Sequence, residues 1–128
     1  MKRSVKTLLS DANQNIKTYD VSQAMERLKS NDALFVDVRD MNELNDEGKI
    51  PGSLHASRGL LEFYIDPESP YHKQELASGK EIIFYCKSSG RSAMAAQRAQ
   101  EMGLENVAHL GGGFNAWKEK DGPVESIR

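Results

Sequence analysis

Glu81-Ile82-Ile83-Phe84-Tyr85-Cys86-Lys87-Ser88-Ser89-Gly90-Arg91-Ser92 is the stretch whose reading decides the fold. Glu81 to Tyr85 is a short run rich in β-branched and aromatic residues, which predicts a strand. Cys86 to Gly90 is small and polar, and an alanine-rich helix follows from Arg91 to Met102, with Gly103 as its stop. A strand that feeds a helix through so short a loop is half of a parallel crossover unit.

The same alternation extends in both directions. Upstream, Asp20 is placed to cap a helix with Gln23 three residues on, and Val21, Met25 and Leu28 repeat at helical spacing until Asn31 ends it. Ala33 to Val38 is apolar and bounded by polar residues, so it predicts a buried strand. Asp40 and Glu43 have the capping-box offset for a second helix, closed by Gly48 and Pro51-Gly52, with a brief extended piece at Ser53 to Ala56. Leu60 to Ile65 reads as a short helix before the turn-rich Asp66 to Pro70. Downstream come a strand at Asn106 to Leu110, a turn at Gly111 to Gly113, and a helix from Phe114 to Lys120 stopped by Gly122-Pro123. Strands alternating with helices predict an α/β domain whose parallel sheet is covered by helices on both faces. The expected division is a loose lead-in or short helix over 1–15, one domain over 16–124 and a tail over 125–128.

A chain of 128 residues has the size of one domain, enough to bury roughly two-thirds of the surface its unfolded form exposes. The 17 basic and 19 acidic residues give a formal charge of -2, so no global positive field exists to gather nucleic acid or an anionic membrane. Val5, Leu8 and Leu9 are too short an apolar run for a signal-peptide core, and no window approaches a membrane span. One cysteine excludes an internal disulfide, and a cytoplasmic location is expected. The three histidines show no ligand spacing with that cysteine, so neither a metal nor another cofactor is expected.

In an open parallel sheet, ligands bind beyond the carboxyl ends of the strands. Asp37 and Arg39, His55 and Arg58, Cys86 to Arg91, and Gly111 to Gly113 each follow a predicted strand, and only one group holds a nucleophile. Cys86 lies where backbone N–H groups of the loop and first helical turn are available to a negative sulfur. Moving a thiol from about 8.5 to about 6.5 takes roughly 2.7 kcal/mol, and a helix terminus typically gives under about 1 kcal/mol. Loop amides, Lys87 and Arg91 must supply the rest. A buried, inert core thiol is the bland alternative, but Lys-Ser-Ser-Gly-Arg-Ser is a poor continuation for a core position.

The run Cys86-Lys87-Ser88-Ser89-Gly90-Arg91-Ser92 after an apolar strand resembles the active-site loop of the rhodanese family. Three further pieces match in order: Asp37-Val38-Arg39 with Glu43, Gly48-Lys49-Ile50-Pro51-Gly52-Ser53, and Gly111-Gly112-Gly113-Phe114-Asn115-Ala116-Trp117. Lys49 stands where members often carry histidine, and Gly90 comes one residue after the usual loop glycine. The resemblance implies a single rhodanese-like domain with a central, mostly parallel five-stranded sheet. It also implies sulfur transfer by two nucleophilic steps: the Cys86 thiolate takes the outer sulfur of a donor such as thiosulfate, and an acceptor, cyanide in an assay or a thiol in a cell, removes it. The six residues from Cys86 to Arg91 match the sulfur-transfer loop, whereas related dual-specificity phosphatases use one residue more.

Expected partners are therefore a small anionic sulfur donor and a thiol or protein acceptor, supplied from outside because no second cysteine resolves the persulfide. Lys87 and Arg91 are candidates to bind the donor and stabilise the leaving group. Ser88 and Ser92 either donate to sulfur or cap the helix, with capping favoured for Ser88. Asp37 and Arg39 read mainly as an architectural ion pair, with contact to substrate as the alternative, and Arg58 and His55 as positive potential at the mouth. An exposed persulfide would serve detoxification, sulfide oxidation or cofactor thiolation equally well. A non-catalytic binding module of the same family is the competing reading, against which the intact Cys86 counts.

Overall fold

Strand β4 (Glu81–Tyr85) is buried at every position. Its residues alternate between two cores: Ile82 and Phe84, followed by Cys86, join one cluster, and Ile83 and Tyr85 join the other. A strand with apolar side chains on both faces is stable only when both faces are covered. In the computed structural model, which describes residues 1–127, helices cover both. Arg128, the last residue of the expected tail, lies outside the described residues.

The remaining elements are α1 (Val5–Asn15), β1 (Lys17–Tyr19), α2 (Val21–Ser30), β2 (Ala33–Asp37), α3 (Met41–Glu47), β3 (Leu54–His55), α4 (Leu61–Ile65), α5 (Gly90–Glu101), β5 (Val107–Leu110) and α6 (Gly113–Glu119), with short 3-10 turns at Arg58–Leu60 and Gln74–Ala77. All five strands are parallel, in the order β1-β5-β4-β2-β3. β4 is therefore central, and the loop that follows it is flanked on both sides by the loops after β2 and β5. One face carries Ile16, Leu61, Ile65 and Ala95, Ala96 and Ala99 of α5; the other carries Val21, Ala24, Phe114 and Trp117 from α2 and α6.

The helix starts follow from local chemistry. Asp20 and Gln23 form a reciprocal capping box on α2, which ends at Asn31 in the left-handed conformation, and the Glu43 carboxylate accepts the Asp40 N–H at the start of α3. Gly103, at φ +112, turns the chain out of α5. β1 has no sequence signal of its own: it is three residues long, and two of them are exposed. The stretch expected as a lead-in or short helix holds α1, eleven residues capped by Ser4, whose hydroxyl accepts the Thr7 N–H. This helix packs along α5 with Ala12 fully buried. Near the other end, Glu125 pairs with Lys49 in an isolated antiparallel bridge, so the expected tail is tied to the body of the domain at that point.

Candidate active site

Cys86 immediately follows β4, and its side chain takes the same face as Phe84, toward α5. Its sulfur is covered, with the residue 1% exposed. The Ser92 backbone N–H, in the first turn of α5, donates to Cys86 Sγ at 3.4 Å, and the thiol in turn faces Ser92 Oγ at 3.5 Å. Ser92 is itself fully buried and its hydroxyl reaches the Ser89 carbonyl at 3.0 Å. The residue before α5 is Ser89, and no side chain caps that helix end. The capping role expected of Ser88 is thus absent, which leaves the first-turn N–H groups open, as an anion site requires.

The loop is held from behind by α6. Phe114 N–H donates to the Cys86 carbonyl at 2.8 Å and Asn115 N–H to the Lys87 carbonyl at 3.0 Å. Because a trans peptide points its C=O and N–H in opposite directions, these two bonds turn the N–H groups of Lys87 and Ser88 away from α6. Among the described residues, the N–H groups of Lys87, Ser88, Ser89, Gly90 and Arg91 have no protein acceptor. So close an approach requires Gly113: at φ +61, a Cβ there would lie 2.6 Å from the carbonyl oxygens of both Cys86 and Lys87.

Charge around the loop is paired rather than free. Arg91 binds Glu43 through two bonds, at 2.7 and 3.0 Å, and Lys87 lies 3.5 Å from Glu47, which Lys118 also engages at 2.7 Å. The Arg91 hydrogen bonds hold the Glu43 carboxyl below the usual carboxylate range, and Lys118 does the same for Glu47. Glu43 and Glu47 are four apart, so one face of α3 holds both loop cations.

Asp37 and Arg39 form the buried pair expected of them. Both are fully covered; Asp37 accepts from the Arg39 backbone N–H and from its guanidinium, down to 2.7 Å. Arg39 also donates to the Gly48 carbonyl at 2.7 Å and lies over the Phe114 ring, 4.4 Å from its centroid. It therefore joins the β2 loop, the end of α3 and α6, and does not itself reach the sulfur. Burial, together with the Asp37 charge, pushes the Tyr85 hydroxyl pKa up; that hydroxyl accepts the Ile50 N–H and meets Ser53 Oγ. Arg58 pairs with Glu62 on α4, and His55 Nε2 meets the Arg39 carbonyl at 2.7 Å. Lys49 donates to the Ser53 carbonyl.

Sequence reasoning missed His109. It is 1% exposed on β5, in register with Phe84, and its Nδ1 lies 3.3 Å from Ser92 Oγ. Its Nε2 meets Thr18 Oγ1 at 3.0 Å and Asn13 Oδ1 at 3.1 Å. The signal was present: a histidine inside the buried run Val107 to Leu110 needs partners, and only tertiary structure names them. With them assembled, the site offers a covered thiol, a first-turn N–H on its sulfur and open amides in front, an arrangement suited to holding an anion on sulfur.

The rhodanese-like domain family model matches residues 20–120. The thiosulfate sulfurtransferase GlpE of Coxiella burnetii is 31% identical over 96 residues, which are 75% of this chain and 81% of that protein. A human single-domain sulfurtransferase superposes with a TM-score of 0.68 at 28% identity, covering 80% of this chain and 96% of that one. A Rhodopseudomonas palustris protein of unknown function, described as a possible tyrosine phosphatase, superposes with a TM-score of 0.94 at 46% identity, covering 98% and 96%. The chain spans 59% of the length of an uncharacterized Synechocystis protein and 60% of that of a mouse thiosulfate sulfurtransferase/rhodanese-like domain-containing protein.

Proposed function

Since this chain belongs to the rhodanese-like domain family, we propose that it is a sulfurtransferase that moves a sulfane sulfur from a small anionic donor to an external thiophilic acceptor through a persulfide on Cys86. The observation that carries the reading is the Ser92 N–H directed at Cys86 Sγ from the first turn of α5, beside loop amides with no protein acceptor. Such groups stabilise a thiolate before transfer and the terminal sulfur of a persulfide after it.

In the first half, the Cys86 thiolate attacks the outer sulfur of thiosulfate. A sulfur–sulfur bond forms to Cys86 as the donor's sulfur–sulfur bond breaks, and sulfite leaves with that electron pair. The terminal sulfur, carrying the negative charge, takes the open N–H groups of the loop. In the second half, an acceptor thiolate or cyanide attacks that terminal sulfur and Cys86 leaves as thiolate. Lys87 and Arg91 steer the anionic donor and offset charge on departing sulfite, with Glu43 and Glu47 setting how much of their charge is available. The six residues from Cys86 to Arg91 favour a sulfur over the larger phosphate group.

The test is intact mass after incubation with thiosulfate and again after cyanide, with Cys86→Ser alongside. The expected result is a gain of one sulfur, about 32 Da, that cyanide removes and the variant lacks. No gain overturns the assignment, and turnover of an aryl phosphate in its place transfers it to a phosphatase.

A further inference from the structure

The buried ring of His109 has no part in the steps above, yet it is the next polar group behind the nucleophile. Its tautomer follows from its neighbours. Asn13 Nδ2 donates to the Leu9 carbonyl at 3.0 Å, and the reversed amide would set oxygen against oxygen, so Asn13 Oδ1 faces the ring. An acceptor 3.1 Å from Nε2 requires a hydrogen on that nitrogen. Nδ1 is then a lone pair, and the group that meets it is the Ser92 hydroxyl at 3.3 Å. The single hydroxyl hydrogen has two acceptors within reach, the Ser89 carbonyl at 3.0 Å and Nδ1 at 3.3 Å; in the rotamer that donates to Nδ1, the Ser92 oxygen turns a lone pair to the Cys86 thiol, 3.5 Å away.

We propose that His109 is a positioning residue that takes the Cys86 thiol proton through the Ser92 hydroxyl and returns it when the cycle ends. In the forward step the S–H bond breaks and its proton forms a new bond to Ser92 Oγ, while the original Ser92 O–H bond breaks and that proton passes to His109 Nδ1. The electron pair stays on sulfur, which keeps the Ser92 N–H, and the imidazolium keeps its Nε2–H on Asn13 Oδ1. Ser92 ends as it began, and no other reactant is needed.

Three features support the relay. The groups facing the ring are Asn13 from α1, Thr18 from β1 and Ser92 from α5, none of them charged, so no carboxylate there competes for the proton. Burial holds the His109 pKa below that of an ordinary imidazole, so the ring is neutral with its Nδ1 lone pair in place at neutral pH, and the imidazolium that burial disfavours forms only together with the thiolate that balances it. The Arg91 guanidinium, although paired with Glu43, also interacts electrostatically with Cys86 and so favours negative charge on the sulfur once the proton has moved. The relay deepens the sulfur-transfer reading and rests on it for the reaction that the thiolate serves.

The experiment is a pH titration of the thiolate ultraviolet absorbance, with Cys86→Ser subtracted, for the wild type, His109→Asn and Asn13→Asp. Asn at position 109 keeps an acceptor for Ser92 but does not titrate. Its expected effect is about tenfold less thiolate at neutral pH, equivalent to a midpoint about one pH unit higher. Asn13→Asp, on the exposed side of the network, puts a carboxylate on Nε2 and is expected to move the midpoint down. Midpoints unchanged in both variants, or moved in the reverse senses, overturn the relay, as does nitrogen NMR of the wild type showing hydrogen on Nδ1. Persulfide loading measured on the same samples separates the two claims. Shifted midpoints without loading remove sulfur transfer and leave the relay standing; normal loading with unshifted midpoints does the opposite.

Discussion

Arg91 and Glu43, 48 positions apart in sequence, meet through a two-pronged bond of 2.7 and 3.0 Å that ties the start of α5 to the first turn of α3. The same carboxylate accepts the Asp40 N–H. One side chain thus closes a helix end and neutralises the loop's arginine. For Glu43→Gln, which keeps the hydrogen-bonding shape and removes the charge, the apparent KM for thiosulfate is expected to fall about threefold, the scale of a half-exposed ion pair. The fall should shrink as salt is raised. An unchanged or higher KM at low salt refutes the idea that this carboxylate tunes donor binding.

Asp37→Asn leaves the Arg39 guanidinium fully buried without its counter-charge. Loss of one partner of such a pair typically destabilises by about 3 to 5 kcal/mol. Urea denaturation should show a lower midpoint with little change in slope, and a loss below about 1 kcal/mol would mean that the Phe114 ring and the Gly48 carbonyl suffice for Arg39.

Gly113→Ala inserts a methyl group 2.6 Å from the Cys86 and Lys87 carbonyl oxygens. The loop must move or α6 must withdraw. Because displacements on the order of 1 Å can cost about a hundredfold in rate, persulfide loading is expected to drop by that order while the far-ultraviolet circular dichroism is retained. Wild-type loading in this variant would show that α6 does not set the loop's shape.

Acid should weaken the fold in two stages. His109 has a folded pKa below its ordinary 6.5, so the unfolded chain binds its proton first; stability present above pH 6.5 is lost as pH falls through the lower, folded value. Glu43 and Glu47 are likewise lowered from 4.5 and contribute stability above that pH, lost as it falls further. Urea midpoints measured from pH 8 to pH 3 should therefore decline twice. His109→Asn should abolish the upper decline, and Glu43→Gln should flatten the lower one.

Much of this molecule is legible in its residues. Asp20 with Gln23 and Asp40 with Glu43 announce their helices because capping is local chemistry, settled within four positions. Glu81 to Tyr85 is legible because a strand covered on both faces must be apolar at consecutive positions. The loop from Cys86 to Arg91 stands out because small polar residues there make no sense as core. β1 is not legible, since three residues at a sheet edge gain their conformation from pairing with β5. Nor is the pairing of Lys87 and Arg91 with α3, which needs β2 and β4 to be neighbours before Glu43 and Glu47 reach the loop. His109, Asn13 and Thr18 lie up to 96 positions apart. No local pattern joins them, and His109 invites only the question of a metal, which its spacing answers in the negative.

The family match begins at residue 20, yet α1 and β1 precede it, and from them Asn13 and Thr18 reach the ring behind the nucleophile. The span of the family model is therefore shorter than the set of residues that enclose the His109 ring. A protein trimmed to residues 20–120 would retain the loop after β4 and lose Asn13 and Thr18, which close over His109. On the proposed relay, the first eighteen residues of this chain thus help set how readily its sulfur sheds a proton.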